Sequence, residues 1–200
     1  MAVKLQVTAP KLKYYTVKGD TLKDIWQDIL KKGPKDPNDN KKVAALSETS
    51  FSTSPSWNHQ IVDSYKIFDG QTTCKIKVKD WDVQYWSVIT FPKLGANKLS
   101  AKAKKEWTRF VTKLKPHELK HVEKGLAEMK KVVKEFQAME SSAIGKDEKE
   151  AVALARANME DHFVKTYGAG GKKIEARLNK IHKKFDHATS HGTSLDTSIT

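Results

Sequence analysis

Two histidines and a glutamate stand in the order His117-Glu118-Leu119-Lys120-His121, directly after Pro116. On a helix, residues four apart project from one face, so both imidazoles can reach a single metal ion. The glutamate between them has the type and placement of a general base acting on water at that metal. Proline before the motif suits the first turn of a helix, where its missing N–H goes unused.

The same helix carries an apolar stripe, Leu119, Val122, Leu126, Met129, Val133 and Phe136, at three- and four-residue spacing. At about 100° per residue, His117 and His121 fall about 140° from the centre of that stripe. The spacing therefore predicts that they face solvent or a cleft and not the stripe's own core. A cleft is what a catalytic metal needs.

A catalytic zinc takes three protein ligands and keeps one position open. The metzincin pattern would require glycine at 124 and histidine at 127, and the chain has Lys124 and Ala127. Glu128 shares the histidine face but lies about 10 Å along the axis from His121, too far to share one ion. The third ligand must come from elsewhere. His59, His162, His182, His187, His191, Asp186 and Glu160 are the candidates, and Phe185 to Gly192 is the densest supply of ligand types.

Composition bounds the setting. The chain has 200 residues, 38% hydrophobic and 30% charged, which suits one domain with a modest core and a wet surface. Its net charge of +13 is carried almost wholly by lysine, with Arg109, Arg156 and Arg177 the only arginines. Arginine is the usual reader of base edges, so no specific nucleic-acid partner is expected. A solvated basic surface, able to meet an anionic one, is the expected reading. No stretch approaches 18 apolar residues, so no membrane span is predicted. The N-terminus lacks a signal peptide's apolar core. Cys74 stands alone, which excludes an internal disulfide and a multi-cysteine zinc site.

The positioning elements follow in order. Residues 3–17 read as extended, and Leu22, Ile25, Trp26, Ile29 and Leu30 form an amphipathic helix capped at Asp20 or Thr21 and stopped by Gly33-Pro34. A long loop over 33–58 contains one strand near Val43–Phe51. From Ile61 to Phe91 the chain is β-rich, with a hairpin at Asp69-Gly70 and a phase flip at Lys79-Asp80. The strand Tyr85–Phe91 is the most hydrophobic and could offer an edge to an extended peptide. Helices are then predicted over 100–115, from Pro116 to about Glu140, over 147–167, and around Ile174, Leu178, Ile181 and Phe185, with a hinge at 141–146. Strands first and helices second read as α+β. The expected organisation is a single domain over 1–200: a β-rich half 1–95, a helical half 96–192 and a flexible tail 193–200.

Three blocks resemble the bacterial family of predicted secreted zinc-dependent proteases, domain of unknown function 922. They are Tyr15-Thr16-Val17-Lys18-Gly19-Asp20-Thr21, then Trp107 ahead of His117-Glu118-Leu119-Lys120-His121, and Phe185-Asp186-x-x-Thr189-x-His191-Gly192. The resemblance implies a zincin-like fold and a secreted or periplasmic location. It implies Zn2+ held by His117, His121 and His191, with Glu118 as the general base. Asp186 is then a hydrogen-bond acceptor behind a ligand histidine, or itself a ligand, and Tyr167 and His187 are the candidate oxyanion donors. The expected function is a zinc-dependent metallopeptidase acting on peptide or protein substrates. The alternatives are a non-catalytic basic binding module on a degenerate zincin fold, or a zinc amidase acting on a non-protein amide.

Overall fold

A computed structural model describes residues 3–38 and 40–189. The fold is α+β, as the sequence predicts. Its strands are β1 (Lys4–Val7), β2 (Lys11–Val17), β3 (Leu46–Thr53), β4 (Asn58–Lys66), β5 (Thr72–Lys79), β6 (Asp82–Leu94) and β7 (Glu140–Gly145). Its helices are α1 (Leu22–Lys32), α2 (Ala101–Gln137), α3 (Glu148–Tyr167) and α4 (Lys172–Thr189). None of the described helices is long and apolar enough to cross a membrane. Two compact units interleave along the chain.

The first unit comprises Met1–Val7, Phe51–Tyr85 and Ala127–Arg177. Its antiparallel sheet has the order β4-β5-β7. The predicted hairpin joins β4 to β5, and Asp69 and Gly70 both take positive φ (73° and 75°) at its tip. The expected phase flip falls on Asp80, whose φ of 52° turns the chain between β5 and β6. Residues 141–146, expected as a hinge, lie mostly within β7 instead. Pairing with β5 gives that segment's backbone N–H and C=O groups partners that a hinge would leave to water. At its end, a Cβ on Gly145 would stand 2.4 Å from the Ala151 nitrogen, so only glycine lets the strand approach α3. Trp81 stacks on Phe136 at 4.7 Å and meets Phe163 edge-on at 5.0 Å, which centres this unit's aromatic core.

The second unit comprises Thr8–Ser50, Trp86–Leu126 and Leu178–Thr200. Here β2 runs parallel to β6 from Lys11↔Val88 to Val17↔Leu94. Helix α1 starts with a reciprocal cap: Thr21 Oγ1 accepts from the Asp24 N–H, and the Asp24 carboxylate accepts from the Thr21 N–H. It ends at Gly33, where a Cβ would lie 2.3 Å from the Val43 carbonyl oxygen, so the returning chain can pass close by. Val17, Ile25, Ile29, Ile89, Phe91, Trp107, Phe110 and Leu114 form the core.

Two further expectations are corrected. The helices predicted on either side of Pro116 are one helix, α2, with Pro116 inside it. Proline removes a helical hydrogen bond at a cost of about 3 kcal/mol. Trp107, Phe110 and Leu114 before it, and Leu119 and Val122 after it, pack on the same core, and that shared burial carries the helix through. The strand Tyr85–Phe91 offers no edge either. It lies within β6, which pairs with β1, β2 and β3, and its alternate residues from Val83 to Phe91 are buried.

Candidate metal centre

Helix α2 presents His117, Glu118 and His121, all within the second unit and only 4–5% exposed. His117 and His121 lie off the helix's main stripe, as the spacing predicts, and they are buried nevertheless. What covers them comes from two other elements of the same unit. Helix α4 brings His182 and Asp186, again four residues apart and on one face. Strand β3 brings Ser47 and Thr49, which share a face by the two-residue alternation of a strand.

Three donor atoms converge. Nε2 of His117 and Nε2 of His121 are 3.3 Å apart, and Asp186 Oδ1 is 3.0 Å from the second and 3.5 Å from the first. Two imidazole nitrogens and a carboxylate oxygen, largely withdrawn from water, form a donor set that suits a cation at the point they face. His117, His121 and Asp186 thus form a group that could hold a metal ion. Asp186 meets the histidines at the nitrogens that face each other, so its oxygen stands among the candidate donors and not behind one of them.

The surroundings tune each group. Burial raises the Glu118 pKa, with His121, Ser47 and His117 opposing it. Ser47 Oγ also donates to the Glu118 main-chain carbonyl at 2.9 Å. Burial by itself would raise Asp186, but the hydrogen bonds from His117 and His121 outweigh it and hold the carboxyl well below the usual carboxylate range. Burial and the neighbouring His121 push His182 down to about 4, so at neutral pH it is an uncharged imidazole. The His117 ring stacks on Phe185 at 5.0 Å, and Lys124 Nζ lies 5.0 Å over that same phenyl ring.

A cavity of about 480 Å³ opens on the cluster. Glu118, the two motif histidines and Asp186 line it, along with Leu46–Ser50 of β3, Trp26, Leu114 and parts of the segment between α1 and β3.

The other predicted residues fall elsewhere. His187 is exposed on α4 and is not part of the cluster. Tyr167 belongs to the first unit, where its hydroxyl donates to Glu135 at 3.1 Å. Glu128 and Glu160 are engaged with Arg177 and Arg156. His162 pairs with Thr166, and His59 sits on β4. His191, expected as the third ligand, lies outside the described residues. Sequence reasoning did not assign Ser47, Thr49 or the supporting place of His182. The four-residue spacing of His182 and Asp186, which repeats that of His117 and His121, was the available signal for α4. The strand near Val43–Phe51 was expected and is β3, but nothing in the sequence placed it at the cluster.

A sequence model of the family described as "Bacterial protein of unknown function (DUF922)" matches residues 12–192. No curated protein matches the chain, and no solved structure does.

Proposed function

The chain belongs to the bacterial family of unknown function DUF922, and from that premise we propose that it is a zinc-dependent hydrolase of peptide bonds. The observation that carries the reading is the convergence of His117 Nε2, His121 Nε2 and Asp186 Oδ1 beside a buried Glu118 at a cavity. Two imidazoles and one carboxylate, leaving room for a further ligand, are a donor set of catalytic zinc. When bound, zinc would polarise a carbonyl and lower the pKa of a bound water toward about 7.

The chain's own residues do the rest. Glu118 takes the proton of the attacking water as the new C–O bond forms, and returns it to the amine as the C–N bond breaks. Its raised pKa brings it closer to the working pH, where one group can both accept and donate. His117, His121 and Asp186 hold the metal. Burial of the cluster keeps stray water out and strengthens each electrostatic contact. On the substrate side, β3 runs along the cavity and pairs only with β6 among the described strands. In this reading its other edge adds an extended peptide as a further strand. The net charge of +13 favours acidic substrates or an anionic setting.

The test uses the purified protein, metal analysis and a fluorogenic protein substrate, with Glu118→Gln as the control. Bound zinc in both proteins, with hydrolysis only in the unaltered one, supports the reading. Hydrolysis that survives Glu118→Gln removes the glutamate from its role. Failure of both proteins to bind zinc sinks the metal reading and leaves the cluster as a buried ion pair.

A further inference from the structure

The two motif histidines are supported differently. His117 Nδ1 is buried and has no hydrogen-bond partner among the described residues. His121 Nδ1 lies 3.2 Å from His182 Nδ1, and His182 Nε2 lies 2.8 Å from Thr49 Oγ1. A neutral imidazole has one N–H and one lone pair, so two facing nitrogens form a hydrogen bond only when one carries the proton. With one N–H on each imidazole, the protons of this chain can run in two ways.

In one, His121 Nδ1–H donates to His182 Nδ1, and His182 Nε2–H donates to Thr49 Oγ1. His121 then points an Nε2 lone pair at the centre. In the other, the Thr49 hydroxyl donates to His182 Nε2, and His182 Nδ1–H donates to His121 Nδ1. His121 then carries its proton on Nε2 and donates to Asp186 Oδ1, 3.0 Å away. A hydroxyl both donates and accepts. The first direction leaves the His121 Nε2 lone pair to a metal, and the second gives the His121 Nε2–H to Asp186, so each direction suits one state of the centre.

We propose that Thr49 and His182 are positioning residues for the metal. They form a reversible hydrogen-bond chain that lets His121 offer its Nε2 lone pair when a metal binds and its Nε2–H to Asp186 when none does. The inference rests on the metal reading above. It assigns the support of a candidate ligand histidine to a second histidine and a threonine, in the position where carboxylates and backbone carbonyls commonly stand.

The experiment has two readouts on the full chain, neither of them catalysis. Zinc affinity is measured by competition with a chromophoric chelator. Imidazole nitrogen NMR on uniformly labelled protein reports which nitrogen of His121 carries the proton, with and without zinc. The expected result is a proton on Nε2 without metal and on Nδ1 with zinc bound. His182→Leu lowers zinc affinity about 10–100-fold, the range for lost support behind a ligand. Thr49→Val, close in shape and without the hydroxyl, lowers it several-fold, and Thr49→Ser restores it. If His182→Leu does not fold, the Thr49 pair and the spectrum of the unaltered protein still decide. Zinc binding by the unaltered protein together with undiminished affinity in both Thr49→Val and His182→Leu would overturn the inference alone. So would a His121 proton that stays on one nitrogen. Absence of zinc binding by the unaltered protein would overturn the metal reading and the inference with it.

Discussion

Asp186 Oδ1 lies 3.0 Å from His121 Nε2 across 65 residues of sequence, and that same nitrogen faces His117 Nε2 at 3.3 Å. The contact makes α4 a partner of the His-Glu-x-x-His segment of α2. It also puts a carboxylate where the sequence reading looked first to His191, and it sets the following expectations.

Asp186→Asn removes the only charged donor of the three. Zinc affinity should fall by more than about 100-fold, beyond the range for groups that merely support a ligand. The metal-free protein should also respond to pH. The folded Asp186 pKa is depressed, so its contribution to stability is present above the ordinary value of about 3.9 and is lost as pH falls below it. Thermal melts in chelator should place the variant below the unaltered protein at pH 6, and the gap should close toward pH 2. A gap that is constant with pH would contradict this.

Glu118 has the opposite sign. Its pKa is raised by burial, so the folded protein holds that proton more tightly than the unfolded chain does. Ionising it takes stability away as pH rises above the ordinary value of about 4.3. Glu118→Gln should therefore melt higher than the unaltered metal-free protein at pH 7, with the gain gone below about pH 4. A lower Tm at pH 7 would show that the carboxylate stabilises the fold.

Pro116→Ala tests the continuity of α2. Alanine supplies an N–H where proline has none and removes the ring, so chemical denaturation should report a gain of about 1–3 kcal/mol. A loss of stability would mean that the ring's own packing outweighs the helical bond.

Arg177 holds a different cluster, in the first unit. Its guanidinium donates to both oxygens of Glu135 at 2.8 Å and lies 2.6 Å from Glu128, whose side chain is 9% exposed. Arg177→Ala leaves Glu128 nearly buried with, among the described residues, Lys131 at 3.2 Å to pair with it. The expected loss is about 2–3 kcal/mol, between the values for surface and buried pairs. Lysine should recover little of it, since it cannot make the forked contact. Denaturation curves for both variants check this, and full rescue by lysine is the contrary result.

Much of the α+β fold was legible because periodicity is a local signal. The cap of α1, the Asp69-Gly70 hairpin and the flip at Asp80 each follow from residues a few positions apart. Pro116 and β7 were misread because long-range burial and strand pairing overrode local breakers. The site divides the same way. His117, Glu118 and His121 are visible as spacing, and Asp186 was within the candidate set, with only its place beside the imidazoles left to tertiary geometry. Ser47 and Thr49 were out of reach, because their role depends on where β3 passes, and no residue near them marks it.

The central claim is that His117, His121 and Asp186 hold one zinc ion. Anomalous scattering from crystals of the zinc-loaded protein, collected on both sides of the zinc edge, tests it most directly. The account predicts a single strong peak with His117 Nε2, His121 Nε2 and an Asp186 carboxylate oxygen each about 2.0–2.2 Å away. No peak at that point, or a zinc whose ligands leave out Asp186, would contradict it.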